Sequence, residues 1–386
     1  MGCHNSDALK YLASDIHLEP NEKDVLVRFR IDGVLQHAGN LVKTFYDNIL
    51  NRVKVQAQLR TDEHQATQDG SIRHVKQGQV TDLRISIIPT LEGEKVVMRV
   101  LTEYVKGLTL SSLGLSPEHE ELVRTAAKKP FGMILAVGPT GSGKSTTLYS
   151  VLRILNNPGI NITTIEDPVE YRLEGVNHIQ VNPRTELTFA RGLRSIVRQD
   201  PDVILVGEIR DKETAVIAVN AALTGQLLLS TFHSNDAATA IPRLLYMGTE
   251  PFLLASTLEI VIAQRLVRKI CEECKVKYTL RSKELAAISG AAAKFLNSRD
   301  VTLFKGEGCQ ACSGTGYKGR TAIYEIIRVT PEMEDLILKN PSSKQVWEMA
   351  RQQGAGSLFE DGLRKIQEGQ TTIEELTRVA SPTIQD

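Results

Sequence analysis

A glycine-rich segment that ends in a lysine and a serine follows a predicted buried strand and opens a predicted helix over 144–155. Glycines let successive backbone N–H groups point at phosphate oxygens, and the amino end of a helix adds positive charge. Lys144 would reach the β- and γ-phosphates of a nucleotide, and the Ser145 hydroxyl would enter the Mg²⁺ shell. The pattern favours a site for ATP and Mg²⁺ over a glycine-rich turn before an ordinary helix. The predicted phosphate-binding residues are Gly138, Pro139, Thr140, Gly141, Ser142, Gly143, Lys144, Ser145 and Thr146.

Two further predicted strands lead into carboxylates that would serve such a site. The strand over 203–206 runs into Glu208, and the strand over 162–165 runs into Glu166. Because the carboxyl ends of parallel strands meet at one edge of a sheet, both carboxylates are expected beside the phosphate-binding loop. One would complete the Mg²⁺ shell and the other would orient the attacking water, in either assignment. The alternative for Glu166 is a turn-capping role, whereas Asp202 precedes its strand and lies at the wrong end.

A histidine follows a fourth predicted strand, over 227–230. His233 would lie at the carboxyl end of that strand, where an imidazole can hydrogen-bond a γ-phosphate or a catalytic carboxylate. The alternative is a structural histidine. We expect His233 to join the site, so that its removal impairs hydrolysis more than nucleotide binding.

Three arginines share one face of the predicted helix over 188–198. Arg191, Arg194 and Arg198 are spaced i, i+3 and i+7, which places them side by side on a helix. They form either a solvated or ion-paired face or a contact with a neighbouring subunit.

Four of the five cysteines form two Cys-x-x-Cys pairs, Cys271 with Cys274 and Cys309 with Cys312. In a cytoplasmic chain this spacing indicates a metal site rather than a disulfide framework. Four thiolates would close the tetrahedral shell of one structural Zn²⁺, and a redox pair is the alternative. A predicted helix over 283–295 would span the long separation between the pairs.

The elements that must position these residues fall into two parts of different pattern. Over the first hundred residues, apolar and charged residues alternate with period two, which predicts an antiparallel sheet with helices on one side. From residue 132 onward, buried apolar strands alternate with helices, which is typical of a parallel α/β sheet. The predicted parts are a small α+β domain over 1–105, a linker over 106–113, and an α/β domain over 114–386 that includes a zinc-binding insertion over 270–320 and a helical C-terminal region.

The charge balance argues against several classes of function. The 386 residues carry 46 Lys plus Arg and 46 Asp plus Glu, so the net charge is zero. That neutrality argues against nucleic acid or anionic lipid as a direct partner. Apolar stretches such as 131–137 are too short for a membrane-spanning helix, and no signal peptide opens the chain. We therefore expect a soluble cytoplasmic protein.

Several of these segments resemble motifs of the secretion ATPase superfamily. In order, the phosphate-binding loop, 164–170 (TIEDPVE), 193–211 and 230–236 resemble its Walker A, Asp box, Walker B and His box. Residues 14–20 (SDIHLEP) and 28–33 resemble the second N-terminal domain of that family. The resemblance covers nearly the whole chain and implies a RecA-like P-loop ATPase domain preceded by a small, PAS-like α+β domain. The paired cysteine motifs look like those of the assembly ATPases of type II secretion and type IV pili, the GspE and PilB group.

This resemblance implies a homohexamer with nucleotide bound between its domains. Such a motor would hydrolyse ATP and drive an inner-membrane platform protein, with associated cytoplasmic-face assembly proteins, to extract pilin-like subunits from the membrane. It would lie at the inner face of the cytoplasmic membrane and associate with that membrane indirectly, through its protein partners. No nucleic-acid partner is expected. In this group, arginines of the small domain reach the γ-phosphate, and Arg84 and Arg99 match the relevant segments. The alternative for both is a charged strand surface.

The sequence departs from the family pattern at two places. The His box of many relatives opens Thr-Gly-His, whereas Gln226 stands here, so His233 alone is expected to carry the box. The family often has a further N-terminal domain, and few residues precede Ser14, which indicates either truncation or a different mode of recruitment. The alternative functions are a retraction or DNA-uptake motor of the same superfamily, a nucleic-acid translocase, and a nucleotide-dependent binding switch.

Overall fold

The computed structural model describes residues 13–76, 79–101, 107, 109–281 and 300–380. The chain divides into two compact units, Met1–Gly107 and Leu108–Asp386. The predicted helix over 283–295, together with residues 106 and 108 of the predicted linker, lies outside the described residues.

The first unit is an antiparallel sheet with a helix packed on its apolar face. Its elements are β1 (Asp15–Pro20), β2 (Asp24–Ile31), β3 (Val34–Val42), α1 (Lys43–Gln56), β4 (Gln68–Lys76), β5 (Gln79–Thr90) and β6 (Gly93–Leu101). The strand order is β3-β2-β1-β6-β5-β4. Alternate residues of β2, such as Val25 and Val27, are buried in one cluster with Leu50 and Val53 of α1. The period-two alternation in the sequence predicts this arrangement, because successive side chains of a strand point to opposite faces.

The second unit is built on a seven-stranded sheet that is parallel except for one edge strand. The strands of this unit are β7 (Gly132–Val137), β8 (Ile162–Glu166), β9 (Val176–Gln180), β10 (Val203–Ile209), β11 (Leu227–Phe232), β12 (Leu258–Ile270), β13 (Lys275–Leu280), β14 (Val301–Gly306) and β15 (Tyr317–Arg328). The sheet order is β15-β12-β7-β11-β10-β8-β9, and β15 runs antiparallel to β12. The predicted α/β class is therefore confirmed.

Helices surround the parallel strands. They are α2 (Pro117–Ala127), α3 (Lys144–Leu155), α4 (Phe189–Ile196), α5 (Lys212–Leu223), α6 (Ala237–Tyr246), α7 (Pro251–Thr257), α8 (Pro331–Ile337), α9 (Ser343–Gln352), α10 (Leu358–Gln367) and α11 (Ile373–Val379). Every residue of β7 and β11 is buried, as expected for strands covered on both faces. Side-chain caps set where helices begin: Asp211 and Asp236 accept hydrogen bonds from backbone N–H groups of α5 and α6. Among the described helices, none combines the length and hydropathy that crossing a membrane requires.

The cysteine segment is an insertion between two neighbouring strands of the large sheet. The chain leaves at the end of β12 and returns as β15, which pairs with β12 from Ile260 opposite Arg328 to Ile270 opposite Tyr317. Between them, β13 and β14 form a separate two-stranded antiparallel ribbon. Because both ends of the insertion are fixed by the same strand pair, the ribbon projects from the sheet without interrupting it.

Candidate functional site

The glycine-rich segment forms the connection between β7 and α3. Gly138, Gly141 and Gly143 have φ values of 147°, 78° and 90°, which lie in the region that favours glycine. A side chain on Gly138 would lie 2.5 Å from the carbonyl oxygen of Gln264 on β12. Backbone conformation and close packing therefore both require glycine in this loop.

Lys144 opens α3 with its ammonium group turned toward the loop. Its Nζ donates hydrogen bonds to the carbonyl oxygens of Gly138 and Pro139, both at 2.9 Å. Burial lowers the pKa of Lys144 to about 8, and the negative charge of Glu208 opposes that shift. The Ser142 hydroxyl is buried in the same loop and has no hydrogen-bond partner among the described residues. A buried cation and an unpaired buried hydroxyl fit the phosphate groups of a nucleotide.

Gln264 supports this loop from β12, a role that the sequence analysis did not predict. It is 1% exposed and accepts a hydrogen bond from the Thr147 hydroxyl at 2.7 Å. A Cβ atom added to Gly143 would lie only 2.7 Å from the side-chain nitrogen of Gln264, so Gln264 packs directly against the loop. The available signal was a glutamine directly after the apolar run over 260–263 in β12, since a buried amide needs a partner.

Glu208 lies near the carboxyl end of β10 and contacts two basic side chains. Its Oε1 is 2.5 Å from Arg210 Nη2, and its Oε2 is 3.2 Å from His233 Nε2. Its charge also acts on Lys144. Glu208 and His233 therefore lie together beside the lysine of the loop, where the strand-end positions in the sequence predict them.

The strand register explains why these residues share one edge of the sheet. Val137 of β7, Phe232 of β11 and Ile209 of β10 pair across three neighbouring strands, so Gly138 and His233 follow at the same level. On the other side of β10, Glu166 ends β8 next to Gly207. A side chain on Gly207 would lie 3.2 Å from the Cα of Glu166.

Glu166 is enclosed rather than open to the loop. It is 3% exposed. Its Oε2 accepts a hydrogen bond from the Tyr149 hydroxyl, and its Oε1 accepts one from the Thr164 hydroxyl, each at 2.7 Å. Tyr149 belongs to α3 and was not predicted as a site residue, because a buried tyrosine on a helix has the sequence pattern of an ordinary core residue.

Gln226 lies at the opposite edge of the sheet. It immediately precedes β11, whereas His233 immediately follows it, so about 20 Å of extended strand separates the two residues. Its side-chain oxygen accepts a hydrogen bond from the Thr224 hydroxyl at 2.9 Å. Within one chain, Gln226 is therefore too far from the loop after β7 to act there.

Two of the three arginines on the predicted helix over 188–198 form ion pairs within the second unit. Arg191 Nη1 is 3.2 Å from Glu186 Oε2, and Arg194 Nη2 is 2.5 Å from Glu213 Oε1. The helix α4 ends at Ile196, so Arg198 lies beyond it. The contacts favour an ion-paired surface for Arg191 and Arg194.

Arg84 and Arg99 are direct cross-strand neighbours in the first unit. Arg84 of β5 pairs with Arg99 of β6, Arg99 with Asp15 of β1, and Asp15 with Arg30 of β2. Asp15 is 6% exposed, and its Oδ1 accepts a hydrogen bond from Arg99 Nε at 3.1 Å. Arg30 Nε is 3.6 Å from the other oxygen of Asp15. Three arginines and one buried carboxylate thus form a row across four strands.

The four cysteines of the insertion converge on one point. Their sulfur atoms all lie within 4.8 Å of one another. The Sγ–Sγ distances are 3.8 Å for Cys271–Cys309, 3.9 Å for Cys274–Cys312 and 3.7 Å for Cys309–Cys312. Four sulfurs about 2.3 Å from a tetrahedral Zn²⁺ would be about 3.8 Å apart. The cluster could therefore hold a metal ion of that size.

Backbone N–H groups around the second cysteine pair favour the thiolate form of Cys312, which is the form that binds a metal cation. Burial raises the pKa of the Cys312 thiol, but backbone N–H groups of Cys309 and Gly316 donate to its sulfur, and the pKa falls to about 6. Their distances to Cys312 Sγ are 3.1 Å and 3.3 Å. Gly308, Gly314 and Gly316 all have φ between 76° and 94°, which permits tight turns around this pair.

Comparison with known proteins gives consistent matches over nearly the whole chain. The family model described as "Type II/IV secretion system protein" matches residues 4–378. The type II secretion system protein E of Pseudomonas aeruginosa is 46% identical over 373 residues, which cover 97% of this chain and 73% of that protein. The type IV pilus assembly ATPase PilB of Thermus thermophilus is 46% identical over 364 residues, which cover 94% of this chain and 41% of that protein. This chain therefore spans less than half of the Thermus relative.

A solved structure also resembles this chain over its full length. The crystal structure of the pilus retraction motor PilT with bound ADP has a TM-score of 0.66 and 25% sequence identity, and the match covers 99% of this chain and 97% of that chain.

Proposed function

The chain belongs to the type II/IV secretion system protein family, and from that membership we propose that it is an ATPase motor that drives assembly of a type IV pilus or a type II secretion pseudopilus. The observation that carries this proposal is the carboxyl edge of the parallel sheet. There the phosphate-binding loop follows β7, His233 follows β11 and Glu208 lies near the end of β10, with Glu166 one strand further. The similarity to proteins named for pilus assembly and type II secretion supports assembly as the process that the motor drives.

In the proposed reaction, the loop over 138–146 binds the phosphates of ATP. Lys144 neutralises charge on the β- and γ-phosphates, and Ser145 helps to hold Mg²⁺, which when bound offsets the charge that develops during phosphoryl transfer. Glu208 orients the attacking water, because it faces both Lys144 and His233. His233 and Arg210 fix its carboxylate from two sides.

The tetracysteine cluster is proposed to bind one structural Zn²⁺. Its residues are Cys271, Cys274, Cys309 and Cys312, and four thiolates leave no open coordination position for catalysis. The ion would fix the ends of the β13–β14 ribbon relative to the sheet.

The assembled state is proposed by analogy with the family. The chain would form a homohexamer in which Arg84 and Arg99 approach the γ-phosphate of bound ATP. It would act through an inner-membrane platform protein at the cytoplasmic face of the membrane, without nucleic acid. Similarity to the retraction motor PilT supports pilus retraction as the second candidate, and the cysteine cluster weighs against it.

The test is steady-state ATP hydrolysis by the purified chain and three variants. Lys144→Ala should abolish nucleotide binding or turnover, because it removes the charge that meets the phosphates. Glu208→Gln should retain binding and lower turnover by at least about 100-fold, because the amide cannot accept a proton from water. Glu213→Gln is the matched control, since Glu213 is an exposed partner of Arg194 on α5.

Two outcomes would contradict the proposal. Unchanged hydrolysis in Lys144→Ala would refute the phosphate-binding role of the loop. A negligible wild-type rate that Glu208→Gln leaves unchanged would indicate a nucleotide-dependent binding switch instead of a motor.

A further inference from the structure

Glu166 belongs to a buried hydrogen-bonded cluster formed by Tyr149, Thr164, Glu166 and His178, called here the Glu166 cluster. Tyr149 lies on α3, Thr164 and Glu166 on β8, and His178 on β9. The side chains of Glu166 and His178 are 4% and 8% exposed. Residues from three elements therefore meet around one carboxylate that solvent hardly reaches.

The hydrogen bonds fix which ring nitrogen of His178 carries the proton. Its Nε2 accepts a hydrogen bond from the backbone N–H of Leu173 at 3.0 Å, so the proton of the neutral ring lies on Nδ1. Nδ1 is 2.9 Å from the Thr164 hydroxyl oxygen and 3.2 Å from Glu166 Oε1. His178 thus donates toward the carboxylate with one nitrogen and holds the segment between β8 and β9 with the other.

Tyr149 connects the same carboxylate to the phosphate-binding helix. Lys144 lies in the first turn of α3 and Tyr149 in the second, and the Tyr149 hydroxyl donates to Glu166 Oε2 at 2.7 Å. Burial raises the pKa of that hydroxyl far above its usual value, so Tyr149 stays a donor at any working pH. Its ring packs on Tyr171 of the segment between β8 and β9, with centroids 4.4 Å apart.

We infer that Tyr149 and His178 are positioning residues for ATP hydrolysis. They hold the carboxylate of Glu166 in one orientation and tie it to α3 on one side and to the segment over 167–173 on the other. A buried carboxylate needs hydrogen-bond donors around it, and here three side chains supply them. This inference rests on the proposed ATPase activity.

The test compares four variants of the full chain in steady-state kinetics. Tyr149→Phe removes one hydroxyl and keeps the ring, and His178→Ala removes the hydrogen bonds of both ring nitrogens. Each should lower kcat by about 10- to 100-fold and change KM for ATP by less than about threefold, as expected for groups that orient a catalytic side chain. His178→Gln should recover most of the rate, because an amide can both donate and accept. Tyr171→Phe is the matched control, since the described partners of Glu166 do not include the Tyr171 hydroxyl.

Amide hydrogen exchange at Leu173 provides a readout that is independent of turnover. His178→Ala should speed exchange of this amide at least about tenfold, whereas Tyr149→Phe should leave it unchanged. Melting temperatures identify any variant that fails to fold, and His178→Gln then carries the comparison.

The outcomes separate this inference from the proposed function. Wild-type kcat in both Tyr149→Phe and His178→Ala, in a chain whose hydrolysis depends on Glu208, would overturn the inference alone. A chain without ATPase activity would refute the proposed function and the catalytic part of the inference together. Unchanged exchange at Leu173 in His178→Ala would overturn the tie between His178 and the segment over 167–173.

Discussion

Glu166 and Glu208 end neighbouring strands, yet their surroundings differ. Glu208 is 12% exposed at its side chain and contacts the side chains of Arg210 and His233. Glu166 is enclosed by the hydroxyls of Tyr149 and Thr164. A carboxylate beside the lysine and partly open to solvent suits water activation, and an enclosed one suits a fixed electrostatic role. The difference in burial therefore supports assigning the water to Glu208.

The depressed pKa of Lys144 predicts a pH dependence of nucleotide binding. Since burial lowers this pKa to about 8, the ammonium group loses its proton as the pH rises through that value. The affinity for a non-hydrolysable ATP analogue should therefore fall progressively above pH 8, measured by calorimetric titration. Lys144→Arg should bind more weakly but with a flat profile, because an arginine stays charged over this range. A flat profile for the wild-type chain would contradict the prediction.

At the scale of elements, local backbone turns shape the tetracysteine insertion. Glycines with positive φ let the backbone turn so that N–H groups meet the sulfur of Cys312. Leu303 is the one fully buried residue of β13 and β14 among those described, and Tyr278, Leu280 and Val301 are partly buried against the core of the second unit. A metal ion held by the four thiolates would add a cross-link to this packing.

The insertion should contain about one zinc ion per chain by elemental analysis. Cys309→Ser should lose most of that zinc and lower the melting temperature of the chain, because it removes one of four converging thiolates. Cys3→Ser is the matched control, since Cys3 is the one cysteine outside the two pairs. A metal-free wild-type protein with an unchanged circular dichroism spectrum would refute the structural role of zinc.

At the scale of the whole molecule, the arginine row of the first unit is the feature of that unit that bears on the proposed hydrolysis. Arg30 and Arg99 lie on either side of the buried Asp15, and Arg84 continues the row. A row of guanidinium groups can meet an anion such as a phosphate. In the proposed motor, that anion would be the γ-phosphate of ATP.

Arg84→Ala and Arg99→Ala should therefore each lower ATP turnover by at least about tenfold while nucleotide binding is largely retained. Arg73→Ala is the matched control, because Arg73 is 72% exposed on β4 and pairs with Asp82. The measurement is kcat alongside the dissociation constant of an ATP analogue. Wild-type turnover in both variants would remove the proposed role of the first unit in hydrolysis.

Much of this arrangement was predictable because it follows from local patterns. Period-two alternation predicts the antiparallel sheet of the first unit, and buried apolar strands between helices predict the parallel sheet of the second. The strand-end positions of Glu208 and His233 predict their proximity, since parallel strands bring their carboxyl ends to one edge. The spacing of the cysteine pairs predicts their convergence.

The sequence by itself thus determined the fold class, the glycine-rich loop between β7 and α3 and the residues near the strand ends, because each depends on neighbours in the chain or on strand direction. Only the tertiary structure decided that Gln264 supports Thr147, 117 residues away, and that Tyr149 and His178 enclose Glu166. The physical reason is that these side chains meet through packing between distant segments. In the sequence, a buried tyrosine or glutamine that hydrogen-bonds another side chain looks the same as one that fills the core.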